Sequence, residues 1–375
     1  MDKQKQPEHN SPKIGPNQIR LLHRLCNACA VSGDETEVRK IVLDQIRPHA
    51  DEIKIDAMGN VLATCLGGVE NGKELAAKKN LRVMVAAHMD EIGFMITHND
   101  GDGLFRFDIV GGIDERQLPG KPVWIGRDHI PGVIGTKPIH LTTSEERNRS
   151  IPLDKLRIDI GTAGSSEIKV GDRAVFATPF SRLGPSLRAK ALDDRFGVAT
   201  LIELVKNAPA NIDLLAAFTV QEEVGLRGAR VAAYSLDPDI AIAVDSTPAL
   251  DLPGWEEADG APIKNTRYNT RLDAGPAIYV ADGATLSDPR LIQHLIQVAE
   301  TEKIPYQIRQ PGGGGTDAGA IHRARGGIPS VSVSVPGRYA HTAAGIARIS
   351  DWQYTLSLLF LALQSLPADI LVQSR

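Results

Sequence analysis

Apolar positions follow two different patterns along this chain. Towards both ends, continuous Val/Ile/Ala/Leu runs at residues 81–87, 212–220, 240–244 and 330–335 alternate with segments of helical spacing at 17–30, 192–205 and 289–301. Unbroken runs rather than alternation predict strands covered on both faces. Ser32-Gly33-Asp34-Glu35 reads as a cap for a further helix ending at Ile46, and residues 60–65 read as another strand. The middle differs. Short β-like pieces at 105–110, 122–125, 132–134, 155–160 and 174–177 are separated by Gly, Pro and Asp, with almost no helical period. The pattern predicts an α/β domain of sheet plus helices, built from residues 16–90 and 183–375. It is interrupted by a β-rich insert over 91–182 and preceded by a polar tail, 1–15, expected to be disordered.

Composition narrows the picture. The 375 residues suffice for one large core and a second domain, and 42% hydrophobic with 23% charged content is ordinary for a globular protein. A formal net charge of -4 supplies no basic field, so no nucleic-acid or membrane partner is expected. The start lacks an apolar signal region and no run approaches membrane-spanning length, which makes the expected location cytoplasmic. Cys26-Asn27-Ala28-Cys29 spells C-x-x-C, but no second pair follows and both cysteines fit a helical pattern, so they read as core positions. Gly312 to Gly315 lacks the Lys-Ser/Thr of a phosphate loop and reads as a tight turn.

Candidate chemistry lies at the strand ends. Glu222 and Glu223 follow the 212–220 run; paired carboxylates there repel unless cations are near. His88 and Asp90 follow the 81–87 run, Asp193 and Asp194 open the 192–205 helix, Asp245 ends the 240–244 run, and His341 lies past 330–335. Singly, a helix cap or an Asx-turn explains any of the aspartates. Jointly, polar residues ending several strands on one sheet edge point to a metal site. Asp193, Glu223 and Asp245 carry three negative charges, matched by two divalent cations and one hydroxide, so a site completed by His88 and His341 is neutral. One carboxylate must then bridge. Asp90, two residues from His88, can hold the tautomer of that ring, and Glu222 is left unligated as general base.

At these residues the chain resembles the dinuclear metallo-aminopeptidases that include the tetrahedral (TET) and glutamyl aminopeptidases, some members of which carry an endoglucanase label. The resemblance spans nearly everything after the tail. It is carried by AAHMDEIGF, IPGVIGTKPIHL, LRIDIG, KALDDRFG, TVQEEVGLRGA, AVDST, PGGGGTDAGAIH and PGRYAHT. It implies that His88 and Asp245 bind one metal, Glu223 and His341 the other, and that Asp193 rather than Asp194 bridges them. It also implies that Glu222 is the base and Asp90 orients His88, and that the insert is a PDZ-like dimerisation domain in a homo-oligomer whose dimers form a tetrahedral dodecamer. One departure concerns the segment after His341, where the family often has Ser-Pro-x-Glu and this chain reads Thr342-Ala343-Ala344-Gly345.

The expected activity is removal of the N-terminal residue from peptides with a free N-terminus, by a metal-bridging water that Glu222 deprotonates. Thr316 and Asp317 are expected to line the substrate pocket. Zinc is the expected metal, with cobalt or manganese able to serve. Two alternatives stand beside this: an amidohydrolase or deacylase of N-acyl amino acids using the same metals, or a non-catalytic scaffold. The scaffold would be expected to have lost a ligand or base, and none is missing. A polysaccharide hydrolase is disfavoured, since 5% aromatic content leaves little for sugar stacking.

Overall fold

A computed structural model describes residues 10–70, 73–74, 80–161, 167–252 and 270–374. Among these, the largest sheet has eleven strands. Its centre is four parallel strands in the order Ile212–Thr219, Leu81–His88, Ile240–Pro248, Ser330–Arg338. The first two are buried along nearly their whole length, as the unbroken apolar runs predict. One face is covered by the helices Pro16–Asn27, Thr36–Ile46, Leu192–Lys206, Pro289–Thr301 and Ile349–Gln364, which share one large core. The other face carries a smaller core beneath Arg227–Leu236 and Ala318–Ile321.

Register sets the site. Thr219 pairs with His88, and Ala243 pairs with Ala86, which brings Asp245 level with His88. Parallel strands all end on one edge, so the groups that follow them converge there.

Between Gly93 and Phe176, six strands close into a barrel in the order Arg157–Asp159, Leu104–Val110, Gly93–Gly101, Arg173–Phe176, Pro122–Ile125, Ile130–Gly135, the last pairing back to the first. The barrel has its own apolar core, in which Phe94 meets Phe107 and Phe176 edge-on. Closure removes the exposed strand edges that a small sheet would otherwise present.

Several details differ from the pattern-based expectation. The strand Gly93–Gly101 and the helices Arg227–Leu236 and Ile349–Gln364 were not anticipated. Of the run expected to cap the next helix, Glu35 is the N-cap, without a side-chain capping bond, while the Ser32 hydroxyl donates to Asp90 at 2.6 Å. Of the tail expected to be disordered, residues 1–9 lie outside the described residues. Ser11 bonds Ser357 and Ile14 donates to Gln353 of the C-terminal helix. No helix among the described residues is long and apolar enough to cross a membrane.

Candidate metal centre

The carboxyl ends of the parallel strands gather His88, Asp193, Glu222, Glu223, Asp245 and His341 on the wall of one cleft of about 730 Å³. This size suits a small ligand or a peptide end. The two oxygens of Asp193 face different histidines: Oδ1 is 3.2 Å from His88 Nε2, and Oδ2 is 3.6 Å from His341 Nε2. Each histidine has a further carboxylate beside it. Asp245 Oδ1 is 3.8 Å from His88 Nε2, and Glu223 Oε2 is 3.5 Å from His341 Nε2. Asp193 therefore stands between a His–Asp pair and a His–Glu pair.

Asp194 behaves differently from its neighbour. Both residues depart from helical backbone angles at the start of Leu192–Lys206. Asp194 Oδ1 accepts the N–H of Gly197 at 2.9 Å, which is a helix-start contact. Its other oxygen is buried without a hydrogen bond among the described residues, and Asp194 also lies within 4.8 Å of ligand atoms of His88 and Asp245. The capping role belongs to Asp194, while Asp193 is aimed at the histidines.

Asp90 is wholly buried and ties the site together. Its carboxylate accepts from Ser32 Oγ at 2.6 Å and from the backbone N–H groups of Glu222 at 3.0 Å and Glu223 at 3.2 Å. His88 Nδ1 lies 3.2 Å from the Asp90 carbonyl oxygen and 3.5 Å from its carboxylate, so the backbone oxygen is the nearer acceptor. Either acceptor keeps the proton on Nδ1 and turns the Nε2 lone pair towards Asp193 and Asp245. His341 is arranged the same way, with Nδ1 2.9 Å from the carbonyl of Gly112 in the segment joining the barrel strands Leu104–Val110 and Pro122–Ile125. Gln117, from the same segment, donates to the His341 carbonyl at 3.0 Å.

Crowded carboxylates dominate the electrostatics of this cluster, although Arg309 also lines the cleft. Among the described residues, only His88 and His341 make ion pairs with Asp193, Glu222, Glu223 or Asp245. Burial pushes Glu222 well above the usual carboxylate range, Glu223 up to about 8 and Asp245 up to about 6. His88 is raised well above its ordinary value: burial opposes this, but Glu222, Asp193, Asp245 and Asp90 together prevail. His341 rises to about 10, chiefly through its contact with Asp193. Asp193 is lowered, because its hydrogen bonds to the two histidines outweigh burial. Carboxylates and imidazoles crowded out of water, with ring nitrogens and carboxylate oxygens converging, are the donor types that hold a divalent cation, which would displace the protons that the metal-free cluster binds. His88, Asp193 and Glu223 offer ligand atoms within 4.8 Å of one another.

Thr316 lines the cleft, with its hydroxyl 2.6 Å from Ser332 Oγ. Asp317 is buried behind it and accepts from Thr219 Oγ1 at 2.5 Å; burial raises it to about 7. Sequence reasoning missed a buried support beneath the site. Glu91 accepts from Lys190 Nζ at 2.7 Å and Arg195 Nη2 at 2.8 Å, and Arg195 also donates to the carbonyls of Met89 and Asp90. This clamp holds the backbone that carries Asp90. Its members stand within AAHMDE and KALDDR, but nothing in the sequence shows that these charged side chains turn inwards and meet.

Comparison with known proteins decides the family. Residues 67–358 match the family model described as M42 glutamyl aminopeptidase. The chain belongs to this family. A putative aminopeptidase of Acetivibrio thermocellus is 36% identical over 90% of this chain and 96% of its own length. The lysyl aminopeptidase of Pyrococcus furiosus is 32% identical over 93% and 98% respectively. Among solved structures, a Pyrococcus horikoshii TET1 peptidase, described as able to assemble into a tetrahedron or a large octahedral shell, is 33% identical. It covers 93% of this chain and all of its own, with a TM-score of 0.78. As a member of the M42 aminopeptidase family, the protein is a peptide hydrolase. The residues of its cleft fit the metal dependence of such peptidases.

Proposed function

We propose that the protein releases the N-terminal residue of peptides at a dinuclear centre, with Glu222 as general base. The observation carrying this reading is the position of Asp193 between the two histidine–carboxylate pairs. His88 and Asp245 would hold one ion, His341 and Glu223 the other, and Asp193 both. Bound there, the ions would lower the pKa of a water and polarise the scissile carbonyl.

The remaining steps belong to the protein's own side chains. Glu222 lies 4.0 Å from His88 Nε2, beside rather than between the donor pairs, and its raised pKa suits a group that takes a proton and gives it back. It removes a proton from the attacking water and delivers it to the leaving amine. Asp90 fixes the Glu222–Glu223 backbone, so the base and the adjacent ligand keep a constant relation to His88. Carboxylates of the cleft attract the substrate ammonium group, which restricts cleavage to the first residue. Thr316 and Gly313–Gly315 line the same cleft.

We assign residues 16–90 with 183–375 to the catalytic domain and 91–182 to a PDZ-like domain through which copies of the chain associate. The exposed Ile139 and Leu141 of that insert, and the assemblies described for the TET1 relative, support self-association into a closed shell.

The deciding experiment is a panel of aminoacyl chromogenic substrates and their N-acetylated counterparts, assayed with zinc, cobalt and manganese. Hydrolysis of the free-amino substrates alone is expected. Preference for the acetylated forms would favour a deacylase and overturn the reading.

A further inference from the structure

A second group of metal-ligating side chains lies outside the cleft, at the junction of barrel and catalytic body. Cys29, Glu37 and His129 offer ligand atoms that all lie within 4.8 Å of one another. Cys29 follows the helix Pro16–Asn27, Glu37 stands in the first turn of Thr36–Ile46, and His129 comes from the hairpin joining the barrel strands Pro122–Ile125 and Ile130–Gly135. The three are about a hundred residues apart in the chain at the widest, so their meeting is a product of the fold and not of local sequence.

The geometry is that of a set of donors already turned inwards. His129 Nε2 is 2.7 Å from Glu37 Oε1, and the other Glu37 oxygen accepts the Cys29 N–H at 3.0 Å. The His129 ring is held flat against Trp124, 5.8 Å between centroids and 14° between planes. All three residues line a cavity of about 380 Å³, which leaves room for a water or a small ligand at a fourth position. Cys29 is not a core position as its helical pattern suggested: it is half-buried, whereas Cys26 is fully buried.

We propose that Cys29, Glu37 and His129 bind a zinc ion that clips the barrel to the catalytic body. Thiolate, carboxylate and imidazole are the donor types zinc takes, and two anionic donors balance its charge. Lys40, Arg127 and Arg173 also line the cavity. Arg127 is within 3.9 Å of Asp34, and Arg173 donates to the carbonyls of Ser32 and Gly171, so neither guanidinium is directed solely at the ligand cluster. The clip would steady a short path to the cleft, because Ser32 lies three residues beyond Cys29 and its hydroxyl donates to Asp90.

The test uses the full-length protein stripped of metal and titrated with cobalt(II). Among the described residues no cysteine lines the cleft, so a thiolate-to-cobalt absorption band in the near ultraviolet reports this junction. The band is expected in the wild type, absent in Cys29→Ser and lost or shifted in His129→Ala. Zinc-loaded Cys29→Ser should also contain about one ion per chain less than wild type while keeping its peptide hydrolysis. Absence of the band in the wild type at saturating cobalt, or its persistence in Cys29→Ser, would overturn the proposal whatever the outcome at the cleft.

Discussion

Asp90 accepts the backbone N–H of Glu222 at 3.0 Å, and through this bond a buried carboxylate sets the position of the proposed base. The same carboxylate also receives the Glu223 N–H and the Ser32 hydroxyl. Asp90→Asn leaves the volume unchanged but turns an amide N–H₂ towards at least one of these donors. We expect kcat to fall about 10–100-fold, with a smaller change in KM. Steady-state kinetics at saturating metal measures this; an unchanged kcat would deny Asp90 its positioning role.

Glu222→Gln removes the proton acceptor while preserving shape. The variant should retain the wild-type metal content and lose activity by at least about 10²-fold. Elemental analysis paired with a rate assay separates the two effects. Loss of metal along with activity would make Glu222 a ligand instead.

The barrel reaches into the centre through Gly112, whose carbonyl faces His341 Nδ1 at 2.9 Å. A methyl group added at Gly112 would lie 3.0 Å from that nitrogen, closer than ordinary contact. Gly112→Ala is therefore expected to displace His341 and weaken metal affinity about 10–100-fold. Titration of the stripped variant with zinc, followed by activity recovery, gives the shift. A wild-type titration curve would show that the barrel does not position this ligand.

Metal removal should make stability depend on pH in a definite direction. Without cations the folded protein holds Asp245 up to about 6, Asp317 to about 7 and Glu223 to about 8, each above its ordinary range because of burial. His88 and His341 are raised as well. The folded state thus binds more protons than the unfolded chain from about pH 4 upward, so stability falls as pH rises through the folded pKa values. Chelator-treated protein is expected to lose Tm between about pH 5 and pH 8, and added zinc to restore most at the alkaline end, where protons no longer compete. Equal Tm shifts on zinc addition at both pH values would contradict this electrostatic account.

Much of the sheet was readable because strands such as Leu81–His88 and Ile212–Thr219 are buried on both faces and need unbroken apolar residues. Pro289–Thr301 was equally legible from its helical period and its opening proline. Gly93–Gly101 escaped because its outer half is polar, with His98 to Gly101 exposed. Ile349–Gln364 escaped because it is buried nearly all round, which hides a one-sided stripe. The cleft residues could be picked out as polar groups ending apolar runs. The division of labour between Asp193 and Asp194, the Glu91 clamp and the junction cluster could not, since each depends on side-chain direction or on segments far apart in sequence. Asp317 illustrates the limit: its place after the glycine turn suggested a pocket residue, and only the folded chain shows its buried carboxylate accepting from Thr219.

The most direct test of the central claim is anomalous diffraction from crystals of the zinc-loaded protein. Two peaks are expected in the cleft, one between His88 and Asp245 and one between His341 and Glu223, with an oxygen of Asp193 on each. A single peak, or two peaks of which either lacks Asp193, would contradict the account.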